Sequence, residues 1–373
     1  MILFFAIITL VYVFLMLMLI AEWNKIELFD CGENNHEKRV TIIIPVRDEA
    51  NSIGYLLHDI DRQTYPQYLL DVIVIDDHSS DSTRAIVEAM QESLSYSLKI
   101  YDIPEGGAGP KKRAITLGVE KSEGDLIIST DGDCRVAENW VRSIVNYQED
   151  NQLDMVLGPV SFADDKKYFT ELQSVEFASL IGTGASSLGI GIPSMCNGAN
   201  IAYLKSAFQK VNGFEGYENE VSGDDEFLMH KLFESDPAKV GFLKSSEAIV
   251  FTEAPPSISR FFAQRKRWAS KWNRYVMWRT RIFAMLIFGI HLSYLAALIL
   301  ACAGLFSFKL FGWMLLVRVL LEYVFIAPIS GFLGRKLNVV NFLIVGLGYS
   351  IYAVTFGLLG TFGGYKWKGR KYK

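Results

Sequence analysis

The first 21 residues, MILFFAIITLVYVFLMLMLIA, contain no charged side chain. At about 1.5 Å per residue, a helix of that length covers a hydrocarbon core of about 30 Å. The alternative is a cleaved secretory signal, which would need a basic n-region and a small-residue cleavage site; neither is present, and the apolar run exceeds a typical h-region. Three more apolar stretches follow Arg281, at 282–304, 310–330 and 338–362. Between the two lipid-like ends lies a segment with ordinary charge content and polar turns. The chain therefore divides into an N-terminal anchor (1–24), an α/β domain (36–256), a basic aromatic stretch (257–281), C-terminal membrane helices (282–365) and a basic tail (366–373).

The formal net charge of −4 hides an asymmetry. From Ser259 to Arg281, SRFFAQRKRWASKWNRYVMWRTR carries only basic charges interleaved with Phe and Trp, and the tail KWKGRKYK does the same. Basic flanks favour the cytoplasmic side, so the middle domain is expected to be cytoplasmic in an integral protein of a bacterial inner membrane. An outside N-terminus and three full C-terminal spans would then put the basic tail outside too. Either one stretch lies in the interface or re-enters, with Gly-rich 338–362 the favoured candidate, or the tail departs from this statistical bias. Cys31, Cys134, Cys196 and Cys302 show no CxxC spacing and suit a reducing compartment, with neither disulfides nor a zinc site expected.

In the middle segment, RVTIIIPV (39–46), DVIVIDD (71–77), LKIYDI (98–103), DLIIST (125–130) and MVLGPV (155–160) read as strands. Helical stretches separate them, at SIGYLLHDIDRQT and around 81–95, 111–121 and 137–149. Near-continuous Val/Ile runs mark strands buried on both faces, and the βαβ alternation implies a mostly parallel sheet. Ligands of such sheets bind at the carboxyl ends of the strands, where Pro45, Asp76, Asp77, Asp131 and Asp133 fall.

Asp131 and Asp133 flank Gly132, so both carboxylates can face one point. Paired carboxylates suit Mg²⁺ or Mn²⁺, hard cations that share sites with substrate phosphates; the plain alternative is a solvated turn. GGAGPKKRA (106–114) supplies Lys111, Lys112 and Arg113 at a helix start, a place that favours phosphate, unless these are a charged solvent face. In VSGDDEFLMHKLF, Asp224 and Asp225 open a helix, either simply capping it or with Asp225 as a general base. In QRKRW, Arg267 offers a fork of donors for phosphate and Trp268 a flat face for sugar or lipid, while the stretch also fits an anionic membrane surface.

Together IIIPVRDE, VIDDHSSDST, DGDC, GDDE and QRKRW, in this order, resemble family 2 inverting glycosyltransferases, over about residues 38–280. The resemblance implies a GT-A fold, a UDP-sugar donor and Mn²⁺ or Mg²⁺ at Asp131 and Asp133. It places Pro45, Arg47 and Glu49 at the uridine pocket, Asp77 at the uracil with Asp76 beside it, and Lys111 near the nucleotide or diphosphate. Asp225 matches the base with Asp224 its neighbour, Gln264, Arg267 and Trp268 match QxxRW, and Asn197, Gly198 and Asn200 match the donor-sugar and acceptor segment. Asp224 stands where Glu is commoner, and Arg47-Asp48 where Tyr-Asn is frequent.

The family includes enzymes that glycosylate a membrane lipid, such as ceramide glucosyltransferases, and processive polysaccharide synthases that act on a growing glycan. Charge within the spans is confined to Arg318 and Glu322, four apart and expected to pair, which gives little material for a polar channel and favours a lipid acceptor. A non-catalytic nucleotide-sugar sensor is the reading from another class. The bilayer is the expected partner surface, and no nucleic acid is expected.

Overall fold

The computed structural model describes residues 1–32, 36–107, 109–218, 220–271 and 277–361, with the backbone of 365–367 and 370–372. The chain forms two units.

The α/β unit comprises Glu27–Ala163 and Met195–Glu253. Its main sheet takes β1 (Val40–Val46), β2 (Leu70–Asp76), β3 (Ser97–Asp102), β4 (Leu126–Ser129), β5 (Met155–Leu157), β7 (Ile201–Leu204) and β8 (Val240–Phe242) in the order β3-β2-β1-β4-β7-β5-β8. β7 runs antiparallel to both neighbours and the remaining pairs are parallel. Val40, Ile42, Ile43 and Ile44 of β1 are fully buried, each such side chain contributing about 1.5–3 kcal/mol by leaving water. The helices α2 (Ile53–Asp61), α3 (Thr83–Met90), α4 (Pro110–Lys121), α5 (Trp140–Asp150), α7 (Lys205–Lys210) and α8 (Asp224–Ser235) complete the unit. Register fixes the site edge: Val46 lies opposite Asp76, the Asp77 N–H donates to the Val46 carbonyl at 2.9 Å, and β4 ends at Ser129 opposite Ile43.

The single strand expected over 155–160 is two. β5 leaves the main sheet after Leu157, and β6 (Val160–Phe162) pairs with β9 (Val250–Thr252) in a small second sheet. Pro159 has no N–H to continue a ladder, and the Gly158 N–H turns to the Asn200 carbonyl at 2.8 Å.

The helical unit comprises Met1–Ile26, Asp164–Ser194 and Ala254–Lys373. It contains α1 (Ile2–Lys25), α6 (Tyr168–Gly189), α9 (Ile258–Ala269), α10 (Trp278–Cys302), α11 (Phe308–Phe332) and α12 (Val339–Thr361), and its last described segments pair as β10 (Tyr365–Trp367) with β11 (Arg370–Tyr372). Residues 164–194 thus interrupt the domain expected over 36–256. Their polar groups have partners at the C-terminal end of the chain: Asn341 Nδ2 donates to Glu171 at 2.8 Å, Gln173 to the Pro255 carbonyl at 3.1 Å, and Arg265 to Glu176. Of the stretch 257–281, α9 covers the first part, 272–276 lie outside the described residues, and Trp278 already begins α10.

By length and composition α1, α10, α11 and α12 each qualify to cross a membrane. The stretch expected to re-enter or lie flat is an unbroken helix of 23 residues, its glycines tolerated as they commonly are in spanning helices. Arg318 and Glu322 pair at 2.8 Å, as their spacing predicts. Arg318 also donates to Ser350 Oγ at 2.5 Å and to the Gly346 carbonyl at 2.9 Å, while the Tyr12 hydroxyl donates to Glu322 at 3.0 Å. The Tyr294 ring lies 5.1 Å from the guanidinium, so this cluster involves all four apolar helices.

Candidate active site

Three loops at the carboxyl ends of β1, β2 and β4 set the site. After β1, Arg47 Nη1 donates to the Asp77 carbonyl at 2.6 Å and stands 3.5 Å from Asp77 Oδ2. Asp48 takes a left-handed backbone (φ 54°), its carboxylate accepting from Ser80 N at 2.7 Å; that bond holds its pKa below the usual range. Glu49 donates its N–H to Thr83 Oγ1 at 2.8 Å and accepts from Ser52 Oγ at 3.2 Å. Pro45 pairs with Ile75 inside the sheet. Asp76 Oδ1 accepts from Ser79 N and Oγ at 3.1 and 2.5 Å, which shapes the loop carrying Asp77.

After β4 the chain turns tightly, Cys134 N donating to the Asp131 carbonyl at 3.2 Å. A Cβ on Gly132 would lie 2.9 Å from Val46 Cγ1, so this position between the two carboxylates must be glycine to let the loops approach. Asp133 faces Thr252, whose Oγ1 is 3.5 Å away. The buried Cys134 thiol is pushed well above its ordinary pKa by burial and by Asp133 and Asp131, so it stays protonated.

The acidic motifs meet at Lys111. Its Nζ donates to Asp131 Oδ1 at 2.6 Å and lies 3.5 Å from Asp224 Oδ2. Burial opposes its charge, but Asp131 and then Asp224 outweigh that and hold the ammonium far above its ordinary pKa. Its sequence neighbours turn elsewhere: Lys112 donates to the Glu220 and Ser222 carbonyls, and Arg113 to those of Gly107 and Pro104. Of the three basic residues expected near phosphate, Lys111 is the one that stands against Asp131 and Asp224.

Gly223, in the left-handed conformation, precedes α8 without a side-chain cap. Asp225 Oδ2 accepts the Gly198 N–H at 2.9 Å and its Oδ1 accepts the Glu226 N–H at 2.9 Å, which fixes the carboxylate from two sides. A Cβ on Gly198 would stand 3.2 Å from Lys111 Nζ and 3.3 Å from Asp224 Oδ2, so the 197–200 turn closes directly over the cluster. Asn197 Oδ1 accepts from Ala199 N at 3.1 Å. Asn200, singled out for sugar or acceptor, is buried with both Nδ2 hydrogens spent on the Pro159 and Ala248 carbonyls at 2.8 Å each, while its Oδ1 accepts from Trp140.

The residue types at Asp131, Asp133 and Asp224 suit a hard divalent cation, but their ligand atoms do not form a group within 4.8 Å of one another. Asp131 and Asp133 offer carboxylate oxygens, and Asp224 Oδ2 is a buried acceptor without a hydrogen bond. One or two carboxylates, completed by water and substrate phosphates, is the ordinary pattern for Mg²⁺. Among the described residues, the group that gathers within 4.8 Å is instead Asp30, Cys31 and Glu247. There, however, the thiol donates to Glu247 at 2.9 Å, and burial with Glu247 pushes its pKa up to about 11, so a thiolate ligand is disfavoured.

Gln264, Arg267 and Trp268 lie on α9, in the helical unit. Sequence reasoning missed Arg265, the residue of QRKRW that is buried and that pairs with Glu176 through two contacts, Nε at 3.0 Å and Nη2 at 2.5 Å. Its spacing of four from Phe261 and three from Trp268 was the available signal.

Residues 41–211 match the model of Glycosyl transferase family 2. Glycosyltransferase AglE of Haloferax volcanii is 32% identical over 151 residues, 38% of this chain and 48% of that protein. Beta-monoglucosyldiacylglycerol synthase of Synechocystis sp. is 25% identical over 251 residues, 65% of this chain and 50% of that one. The chain spans about half the length of the curated relatives it matches. Among solved structures, the mannosyltransferase PcManGT of Pyrobaculum calidifontis, in complex with GDP-Man and Mn²⁺, superposes with a TM-score of 0.59 at 18% identity, covering 92% of this chain and 95% of its own. The α/β unit has the GT-A fold.

Proposed function

We propose that the protein, whose residues 41–211 match the model of Glycosyl transferase family 2, is a membrane-bound inverting glycosyltransferase that moves a sugar from a UDP-sugar to a hydroxyl of a membrane lipid. The observation that carries this reading is the meeting of Asp131, Asp224 and Lys111, with Asp225 pinned beside them to the Gly198 N–H.

Asp225 accepts the proton of the acceptor hydroxyl as its oxygen attacks the anomeric carbon, and the two backbone donors hold the carboxylate in one orientation for that transfer. A single in-line displacement inverts the anomeric centre, and no enzyme nucleophile is needed, in contrast with the covalent route of retaining hydrolases. Lys111 turns its ammonium to the diphosphate, where fixed positive charge stabilises the leaving group. Asp131 and Asp133, with Asp224 beside them, are the residues that would hold Mn²⁺ or Mg²⁺, and the cation would supply further charge for the leaving nucleotide. Pro45, Arg47, Glu49, Asp76 and Asp77 border the uridine, Asn197 and Gly198 the sugar, and Gln264, Arg267 and Trp268 serve diphosphate and acceptor. Asn200 acts by holding the 197–200 turn.

The Synechocystis relative, named for a glucosyldiacylglycerol, supports a lipid acceptor, and the structural neighbour PcManGT is in complex with GDP-Man and Mn²⁺. The Arg318 cluster supports the same acceptor, since its groups are spent on one another and do not line a polar path. The α/β unit works on the cytoplasmic side of an inner membrane, and basic α9 lies at the headgroups. The test is nucleotide release by the full chain in nanodiscs, with UDP- and GDP-sugars, with and without Mn²⁺, alongside mass spectrometry of the nanodisc lipids. Metal-dependent UDP release with a new glycolipid is the expected result; UDP release without a new glycolipid would return the acceptor to a glycan.

A further inference from the structure

QxxRW leaves its second and third positions open, yet Arg265 at the second is the residue that α9 buries. Its guanidinium has four neighbours at once. Nε and Nη2 face the two oxygens of Glu176 on α6 at 3.0 and 2.5 Å. Nη1 points the other way and donates to Gln264 Oε1. The guanidinium carbon lies 4.5 Å from the Phe261 ring centroid and 4.3 Å from that of Trp268. Glu176 is held in turn by the Tyr352 hydroxyl of α12 at 2.6 Å, and Phe177 lies 6.2 Å from the Trp268 ring.

We propose that Arg265, braced by Glu176, is a positioning residue that fixes the side chains of Gln264 and Trp268 for transfer to the acceptor; this rests on reading QxxRW as diphosphate and acceptor machinery. An ion pair that only fastened α9 to α6 would need two charges. Here the Gln264 carbonyl oxygen is engaged by Nη1, which directs its amide N–H groups away, and the Trp268 ring has a cation over it, which limits its rotation. Only a planar fork with five donors and a stackable face makes all these contacts; an ammonium on the same stem does not.

The experiment compares Arg265→Lys, Trp268→Ala and the double variant, full-length in nanodiscs, measuring lipid glycosylation, acceptor-free UDP-sugar hydrolysis and thermal unfolding. Arg265→Lys keeps the charge and is expected to lower lipid glycosylation about ten- to a hundred-fold, the scale of a misplaced reacting group. Hydrolysis by Arg265→Lys should stay within about two-fold of the unsubstituted protein, a ratio worth only ~0.4 kcal/mol. Acting in part through Trp268, it should add clearly less to Trp268→Ala than its own loss in the unsubstituted protein. Additive losses, or wild-type glycosylation by Arg265→Lys, would overturn the proposal. Should the lysine variant unfold, Glu176→Gln replaces it, with the same non-additivity expected. Wild-type glycosylation by Trp268→Ala would instead remove the QxxRW reading itself, an outcome separable from a silent Arg265→Lys beside an impaired Trp268→Ala.

Discussion

In the helical unit Arg318 has a carboxylate, a hydroxyl and a carbonyl as hydrogen-bond partners, whereas in the α/β unit Lys111 is shared between two carboxylates and one Asp224 oxygen accepts no hydrogen bond. Apolar surroundings with no water leave polar groups to satisfy one another or remain unpaired at a cost of several kcal/mol. If the α/β cluster is the donor site proposed above, a charged ligand would offset that imbalance. The same kind of substitution should therefore act on stability in one region and on chemistry in the other.

The largest effect that would sharpen this contrast is on activity. Asp131→Asn or Asp133→Asn should abolish transfer and metal-dependent UDP binding while leaving the melting temperature within a few degrees; calorimetry with UDP and Mn²⁺ and a thermal melt report the two quantities. Unchanged metal-dependent affinity in both variants would break the assignment. Next, Arg318→Met should destabilise the helical unit by about 3–5 kcal/mol, because it strands Glu322 among apolar helices; unfolding in mixed micelles measures this. Stability equal to wild type would place that pair outside the fold's energetics. Third, Asp225→Asn should lower turnover by about 10² or more, roughly 2.7 kcal/mol of barrier, with UDP-sugar affinity nearly intact. Near-normal turnover would leave Asp225 with the holding of Gly198 alone. The smallest change, Tyr12→Phe, deletes one hydrogen bond to Glu322 and should cost about 1.5–3 kcal/mol in the same micelle assay, the scale for a bond to a charged group.

What could be read from residues alone follows the range of the forces involved. β1, β2 and β4 are legible because both faces are buried, so unbroken Val/Ile runs announce them, and the acids that follow mark the sheet edge. Which of Lys111, Lys112 and Arg113 meets those acids is not legible. Successive residues on a helix point about 100° apart, and the choice falls to Glu220 and Ser222, which claim Lys112. The membership of α6 is hidden for a related reason. Glu176 makes its helix look soluble until Arg265 and Tyr352, 89 and 176 residues further on, are known to cover it. The break at Pro159 was visible as a residue, but the second sheet it leads to needed β9, supplied about ninety positions later.

The antiparallel strand β7 bears on the order of events during synthesis. β5 and β8 join the sheet only through β7, and β7 follows the whole of α6 in the chain. A nascent polypeptide that has emerged as far as Gly189 can pair β1 to β4, but it carries β5 with nothing to pair with and β4 with one bare edge. At about 5–20 residues per second, that edge waits until β7 emerges. The ribosome thus delivers a helix of the other unit before the main sheet can close, and a stall in this interval would leave an open strand available to another copy of the chain.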